Sequence, residues 1–366
     1  GELIKIRLPF DKNTAENPFY KRLIRSISLL IQLRRIKARK KIDVAISFME
    51  ASNFVNILSS RSEKTILSVR SYLSHEFNDH PRLRIFRRLI RLLYNRADHI
   101  VAPSRLLQKD LIDHFGVSEK KTVVIYNYID PALIASLQQE PLPPRHEELF
   151  KKFPVIINVG RITSPKAQWL LMPVLSRVKK IIPSIKLAIL GEGPLAEKII
   201  DQAKKEGLAV HQDGLTDESR PFESYDAYLM GFTPNPFPYL NKSHLFIKSS
   251  VYEGFPNVII EAMANGLAVI SSDCESGPRE IISPDTAILS SAKESEYAEY
   301  GILTPVYAEG GNNLEQYIEE TARAIIKLST DNKARDHYIQ QSLKRAKYYE
   351  KEKIMQEWIK LIETNT

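Results

Sequence analysis

Short apolar runs recur along the chain, and stretches with apolar residues at helical spacing separate them. In the first half, "IDVAISFM" (42–49), "KTILSVR" (64–70), "ADHIVAPS" (97–104) and "KTVVIYNYID" (121–130) predict strands. Helical stretches between them give a β-α-β-α order, which implies a parallel sheet. "LQQEPLPPRHEELFKKFP" then interrupts the pattern with proline and charge and is read as a linker. A second series follows with strands predicted at 155–161, 185–193, 209–214, 227–232, 244–250 and 267–273. Three helices, 314–329, 331–347 and 349–363, close the chain. The expectation is two parallel αβα sandwiches, with ligands off the C-terminal strand ends and in the crevice between domains.

A length of 366 residues suits two domains that each bury a core. Hydrophobic and charged contents of 43% and 26% belong to a soluble globular protein. No stretch approaches the ~20 apolar residues that span a bilayer, and "GELIKIRLPFDKNTAEN" turns polar too soon for a secretory h-region. The one cysteine, Cys274, excludes an intramolecular disulfide and favours a reducing compartment. The histidines are scattered without a Cys/His cluster, so no structural zinc site is expected. Charge changes the picture more. Residues 1–130 carry 25 Lys+Arg against 13 Asp+Glu, while the remainder carries 27 against 31. The basic half therefore calls for an anionic partner. In "HPRLRIFRRLIRLLYNRAD", Ile85, Phe86, Leu89, Ile90 and Leu93 form an apolar helical stripe beside Arg84, Arg87, Arg88 and Arg91. Such a helix either packs on a core with a solvated arginine face or lies on an anionic membrane. Nucleic acid lacks support, since no aromatic-interleaved basic strand or zinc-finger spacing is present.

The candidate chemistry lies in the second series. "SSVYEGFPNVIIEAMANG" (249–266) reads as a strand end, a tight turn and a helix, with Pro256 at the first helical position and Gly266 as the stop. Glu253 precedes this helix and Glu261 lies about two turns inside it. A helix N-terminus with free N–H groups suits an anion. "NVGRITSPKAQ" sets Arg161 directly after a strand and Lys166 five residues on, a fixed fork and a flexible ammonium able to hold a diphosphate together. "LGEGPLAEKI" offers Gly191 and Gly193 at a strand-to-helix turn but lacks the third glycine of the dinucleotide fingerprint.

From Ile42 onward the chain resembles the retaining, nucleotide-sugar-dependent glycosyltransferases of family 4, which have the GT-B fold. The resemblance rests on "VAPSRLLQKDLIDHFGV", "VIYNYID", "NVGRITSPK", "LGEGPL", "GFTPNPFPYL", "SSVYEGFPNVIIEAMANGLAVISSDCESGPREII" and "EYGILTPV", in the family's order. It implies an α/β protein of two Rossmann-like domains facing a cleft: an acceptor-side domain over 1–145 with the helix 349–366 packed back on it, and a donor domain over 146–348. It implies that Arg161 and Lys166 bind the nucleotide diphosphate and stabilise it as leaving group, and that Glu253 orients the transferred sugar. Gly254, Phe255, Pro256, Asn257 and Val258 match the turn whose backbone approaches phosphate and sugar. Glu261 matches the glutamate on the ribose hydroxyls, and Gly231 with Phe232 the segment beside the base. With no Asp-x-Asp placed to hold a divalent ion, neither metal nor cofactor is expected; preorganised cations and helix N–H groups serve instead.

Two features depart from the family. Its usual first strand, glycine-rich loop and helix are missing ahead of Ile42, and the family's histidine near the sugar has only Arg70 and His75 in its neighbourhood. The expected function is transfer of a hexose or N-acetylhexosamine from a UDP-linked donor, with retention, to a lipid-linked or membrane saccharide, as in polysaccharide or lipopolysaccharide assembly. The expected location is cytoplasmic, peripheral on the inner face of the membrane. A catalytically impaired GT-B docking partner is the alternative, and an epimerase of the same fold fits the EGFPN turn less well.

Overall fold

The structure, a computed structural model, describes residues 19–76, 83–216, 220–308 and 312–364. The chain divides into two compact units, Gly1–Ile125 with Trp358–Thr366, and Tyr126–Glu357. The expected boundaries were 145/146 and 348/349. The expected linker instead contains a helix, Pro144–Lys152, whose His146, Leu149 and Phe150 are buried. Pro144 suits its first turn, and Leu149 and Phe150 join Ile129 and Ile134 in the core of the second unit.

In the first unit, β1 (Val44–Phe48), β2 (Lys64–Ser68), β3 (His99–Ala102) and β4 (Thr122–Val124) form a parallel sheet in that order. Val44 pairs with Lys64, and Ile66 with His99. Ile57, Leu67, Ile90, Tyr94, Ile100, Leu107, Leu111 and Phe115 build its core. The helix Arg105–Phe115 starts at Ser104, whose side chain accepts from the Leu107 N–H, and stops at Gly116 with φ 65°, the left-handed position that favours glycine. β4 is shorter than the predicted 121–130 strand. The backbone of Ile129 is satisfied elsewhere, its N–H donating to Tyr349 O and its carbonyl accepting from Lys351. A helix, Phe19–Lys40, precedes β1. The expected absence of a strand and loop ahead of it falls in part on residues 1–18, outside the described residues. At the other end, Phe48 and Trp358 lie 6.1 Å apart by ring centroids, and Lys64 Nζ donates to Leu361 O at 2.6 Å.

The second unit adds β5 (Val155–Val159), β6 (Lys186–Leu190), β7 (Val210–Gln212), β8 (Ala227–Leu229), β9 (Leu245–Lys248), β10 (Val269–Ser272), β11 (Glu296–Tyr297) and β12 (Ile302–Thr304). Their order is β11-β12-β10-β9-β5-β6-β8-β7. All pairs are parallel except β11 with β12. The six predicted strands are all present. β11 and β12 lie outside that prediction, being too short for their own periodic signal. β5 and β6 are buried on both faces, which is why they read as continuous apolar runs. The closing helices are Leu314–Thr330, Asn332–Ala346 and Lys351–Glu363.

Candidate active site

β9, β5, β6 and β8 are neighbours in the sheet and run parallel, so their C-terminal ends open along one edge. β6 lies on one side of β5 and β9 on the other, and such a reversal of strand order leaves a crevice at the carboxyl ends. The loop after β5 carries Arg161, then a short turn Ser164–Lys166, with Ala167 in the left-handed region at φ 49°. The loop after β9 carries Ser249 to Glu253. The Val251 N–H donates to Pro165 O at 2.8 Å and Ser249 Oγ to Lys166 O at 2.7 Å, so each loop fixes the other.

This places Lys166 Nζ 2.5 Å from Glu253 Oε2. The other carboxylate oxygen is held from within the sheet: Lys248 Nζ lies 2.6 Å from Oε1, and Ser250 Oγ donates to Oε1 at 2.7 Å. Lys248 also donates to Ser250 Oγ at 2.8 Å. Glu253 and Lys248 are 7% and 4% exposed, so one buried carboxylate sits between two ammonium groups. Burial alone would raise the Glu253 carboxyl, but Lys248 and Lys166 hold it down at about 2. Burial, reinforced by Lys248, lowers Lys166 below the usual lysine range. Lys248, in contact with Glu253, is a residue that motif reading misses. The available signal was a lysine closing the apolar run "HLFIK" of a strand flanked on both sides.

Arg161 is exposed, and among the described residues its guanidinium has no partner. Its loop is held by glycines: a Cβ on Gly191 would strike Gly160 O, and one on Gly193 would strike Ile162 O. The backbones therefore pass close enough for the Ile162 N–H to donate to Glu192 O at 2.8 Å. The glycines of "LGEG" thus serve loop-to-loop approach here. Next along the edge, Gly231 (φ 68°) turns the chain after β8. It leaves Phe232 71% exposed, with its N–H donating to Glu192 Oε1 at 3.1 Å.

The helix after β9 runs Asn257–Ala264 with Pro256 as its N-cap, one residue before the expected position. The Asn257 N–H turns back to Phe255 O, so helical geometry begins only after the proline. Gly266, at φ 73°, ends the helix as expected. Glu261 falls in its second turn, nearer the start than expected. Its carboxylate is half-buried with no partner among the described residues, and burial raises its pKa. The Phe255 ring is turned into the core against Tyr126 and Tyr349. Ser276 Oγ donates to Gly254 O at 2.5 Å, Asn257 Oδ1 accepts from Asn127 at 2.6 Å, and Val258 packs on the core. In the other unit, Arg70 lies 5.1 Å over the Phe48 ring and His75 stacks on Tyr72 at 4.8 Å. No group of three or more His, Cys, Asp or Glu side chains that could hold a metal occurs among the described residues.

Known proteins share this framework. Residues 8–133 match the family model described as Glycosyltransferase Family 4, and residues 153–302 match that of Glycosyl transferases group 1. An uncharacterized glycosyltransferase of Methanocaldococcus jannaschii is 32% identical, covering 99% of this chain and 89% of that protein. The N-acetylgalactosamine-N,N'-diacetylbacillosaminyl-diphospho-undecaprenol 4-alpha-N-acetylgalactosaminyltransferase of Campylobacter jejuni is 28% identical over 95% and 83%. An Anabaena protein crystallised with UDP superposes with a TM-score of 0.70 at 17% identity, covering 91% of this chain and 81% of that one. The chain belongs to glycosyltransferase family 4 and has the GT-B fold, with two parallel-sheet α/β domains.

Proposed function

We propose that the protein moves a hexose or N-acetylhexosamine from a UDP-linked donor to a lipid-linked saccharide with retention of configuration and without a metal ion. The observation that carries this reading is the Lys166–Glu253 pair joining the loops after β5 and β9, with the unpartnered Arg161 on the first of them. Breaking a sugar–phosphate bond builds negative charge on the diphosphate and positive charge at the anomeric carbon. Arg161 and Lys166 suit the first, and the ionised Glu253 suits the second. Glu261 is an open acceptor for ribose hydroxyls, and Phe232 an open ring for a base. The Campylobacter relative is named for transfer to a diphospho-undecaprenol-linked sugar, which supports the same acceptor class here.

Calorimetry with UDP tests the donor site. Wild type is expected to bind, Arg161→Ala to lose about 1.5–3 kcal/mol, the value of a charge-assisted hydrogen bond, and Glu261→Ala to weaken UDP and UDP-sugar alike. Transfer should persist in EDTA. Absence of UDP binding by wild type would reject the donor assignment.

The acceptor class implies a membrane surface, and two helices of the first unit support one. No helix of the described residues is long and apolar enough to cross a membrane. The helix Leu83–Tyr94 buries Ile90, Leu93 and Tyr94 but leaves Ile85, Leu89 and Leu92 62%, 43% and 68% exposed, beside exposed Arg88 and Arg91. Its apolar stripe is thus partly in the core and partly exposed. Arg87 instead lies over the Phe115 ring, and the Arg84 side chain is outside the described residues. The helix Phe19–Lys40 likewise exposes Ile24, Ile27 and Ile31, with Arg34, Arg35 and Arg39 exposed further along. Each basic residue near an anionic surface contributes about 1 kcal/mol, decaying over roughly 8 Å at physiological salt. The protein is expected to sediment with anionic vesicles, to release at high salt, and to ignore neutral ones. Replacing Arg84, Arg87, Arg88 and Arg91 by Gln should weaken sedimentation without changing UDP affinity. No sedimentation at low salt would make a soluble acceptor the better reading.

A further inference from the structure

Glu253 has two cationic neighbours, and the proposed chemistry uses only one. Lys166 sits on the loop after β5, is 22% exposed, and must turn from Glu253 to reach a diphosphate. That movement strips a carboxylate only 7% exposed of one counter-ion, and a buried charge left unpaired is costly. Lys248 differs in kind. It is the last residue of β9, is 4% exposed, and bridges Glu253 Oε1 and Ser250 Oγ, which itself donates to Oε1. Its anchoring in the sheet keeps it beside Glu253 when the loop lysine moves.

The remaining titratable groups cannot take its place. Cys274 is buried, and its thiol is pushed up by burial first and by Glu253 second. Asp273 is occupied by Arg279, whose Nε lies 3.1 Å from Oδ2, and by the Ala292 N–H at 2.6 Å. Arg279 is itself shared with Glu296 at 2.8 Å.

We propose that Lys248 is a positioning residue: it keeps Glu253 ionised and fixed through Oε1 while Lys166 passes from Oε2 to the diphosphate, so that donor binding needs no proton. The inference rests on the donor-site reading above. Without Lys248, Glu253 loses its only remaining cationic partner among the described residues whenever Lys166 leaves, and protonation becomes its cheapest response.

Calorimetry with UDP at pH 7.5, above the second phosphate ionisation near about 6, in two buffers of different ionisation heat reads the proton directly. Wild type is expected to bind UDP with no proton taken up by the protein. Lys248→Met should take up a large fraction of one proton per UDP, and its affinity should fall as pH rises, by up to tenfold per unit. Lys248→Gln, which keeps a hydrogen-bond donor without charge, gives the same reading should the Met variant fail to fold. Adding Glu253→Gln to either should return the uptake to zero. A wild-type proton count in both single variants overturns the role of Lys248 alone, since a merely structural lysine would change affinity without changing protons. Wild type that binds no UDP overturns the donor site and this inference with it.

Discussion

Glu253→Ala is expected to abolish sugar transfer and to lower the stability of the unit Tyr126–Glu357 by about 3–5 kcal/mol, the cost of breaking a buried ion pair from one side. The loss is large because the variant leaves two ammonium groups facing each other, one of them 4% exposed. Alanine also removes the acceptor for Ser250 Oγ. UDP should recover part of the deficit, since its diphosphate supplies the missing negative charge; the rise in melting temperature on adding UDP should exceed that of wild type. In wild type the sign with pH follows from the lowered carboxyl. Stability from the triad is complete above the ordinary glutamate value of about 4.3 and is lost only as pH falls towards about 2. Urea titration of both proteins near neutral pH checks the first claim. Equal midpoints would mean that the triad is not formed in solution.

Lys166→Ala is expected to lower kcat by roughly 10²–10³, as removal of one group stabilising transition-state charge does. UDP affinity should fall less, because charge on the leaving diphosphate grows as the bond breaks. Folding should suffer little, since Lys248 and Ser250 still hold Glu253. That separates this lysine from Glu253, whose loss is expected to harm both fold and turnover. Single-turnover rates at saturating donor are the measurement. An unchanged kcat would remove Lys166 from the chemistry.

Strands buried on both faces, such as β5 and β6, were legible as apolar runs, and the closing helices were legible from their periodicity. The positions of Arg161, Lys166 and Glu253 on loops after strands were legible because a motif spaces them there. Lys248 was not, since only three dimensions reveal that its ammonium meets Glu253. The packing of the Phe255 ring on Tyr126 and Tyr349 was not legible either, since both partners are distant in sequence. The helix Pro144–Lys152 was hidden by prolines that resemble a linker but serve as its first turn. Local composition cannot distinguish these cases, because the difference lies in which distant surface the segment covers.

The assignment of Trp358–Thr366 to the first unit has a consequence for biosynthesis. The second unit is one uninterrupted stretch, so it has every residue of its core before Trp358 is made. The first begins earlier but finishes later: Phe48 and Lys64 wait for Trp358 and Leu361, which follow the whole of the second unit along the chain. Domains usually mature on the ribosome from the N-terminus onward. Here the later-encoded unit can close first, and a nascent chain that can already fold around Glu253 still lacks the final turns of the helix Lys351–Glu363.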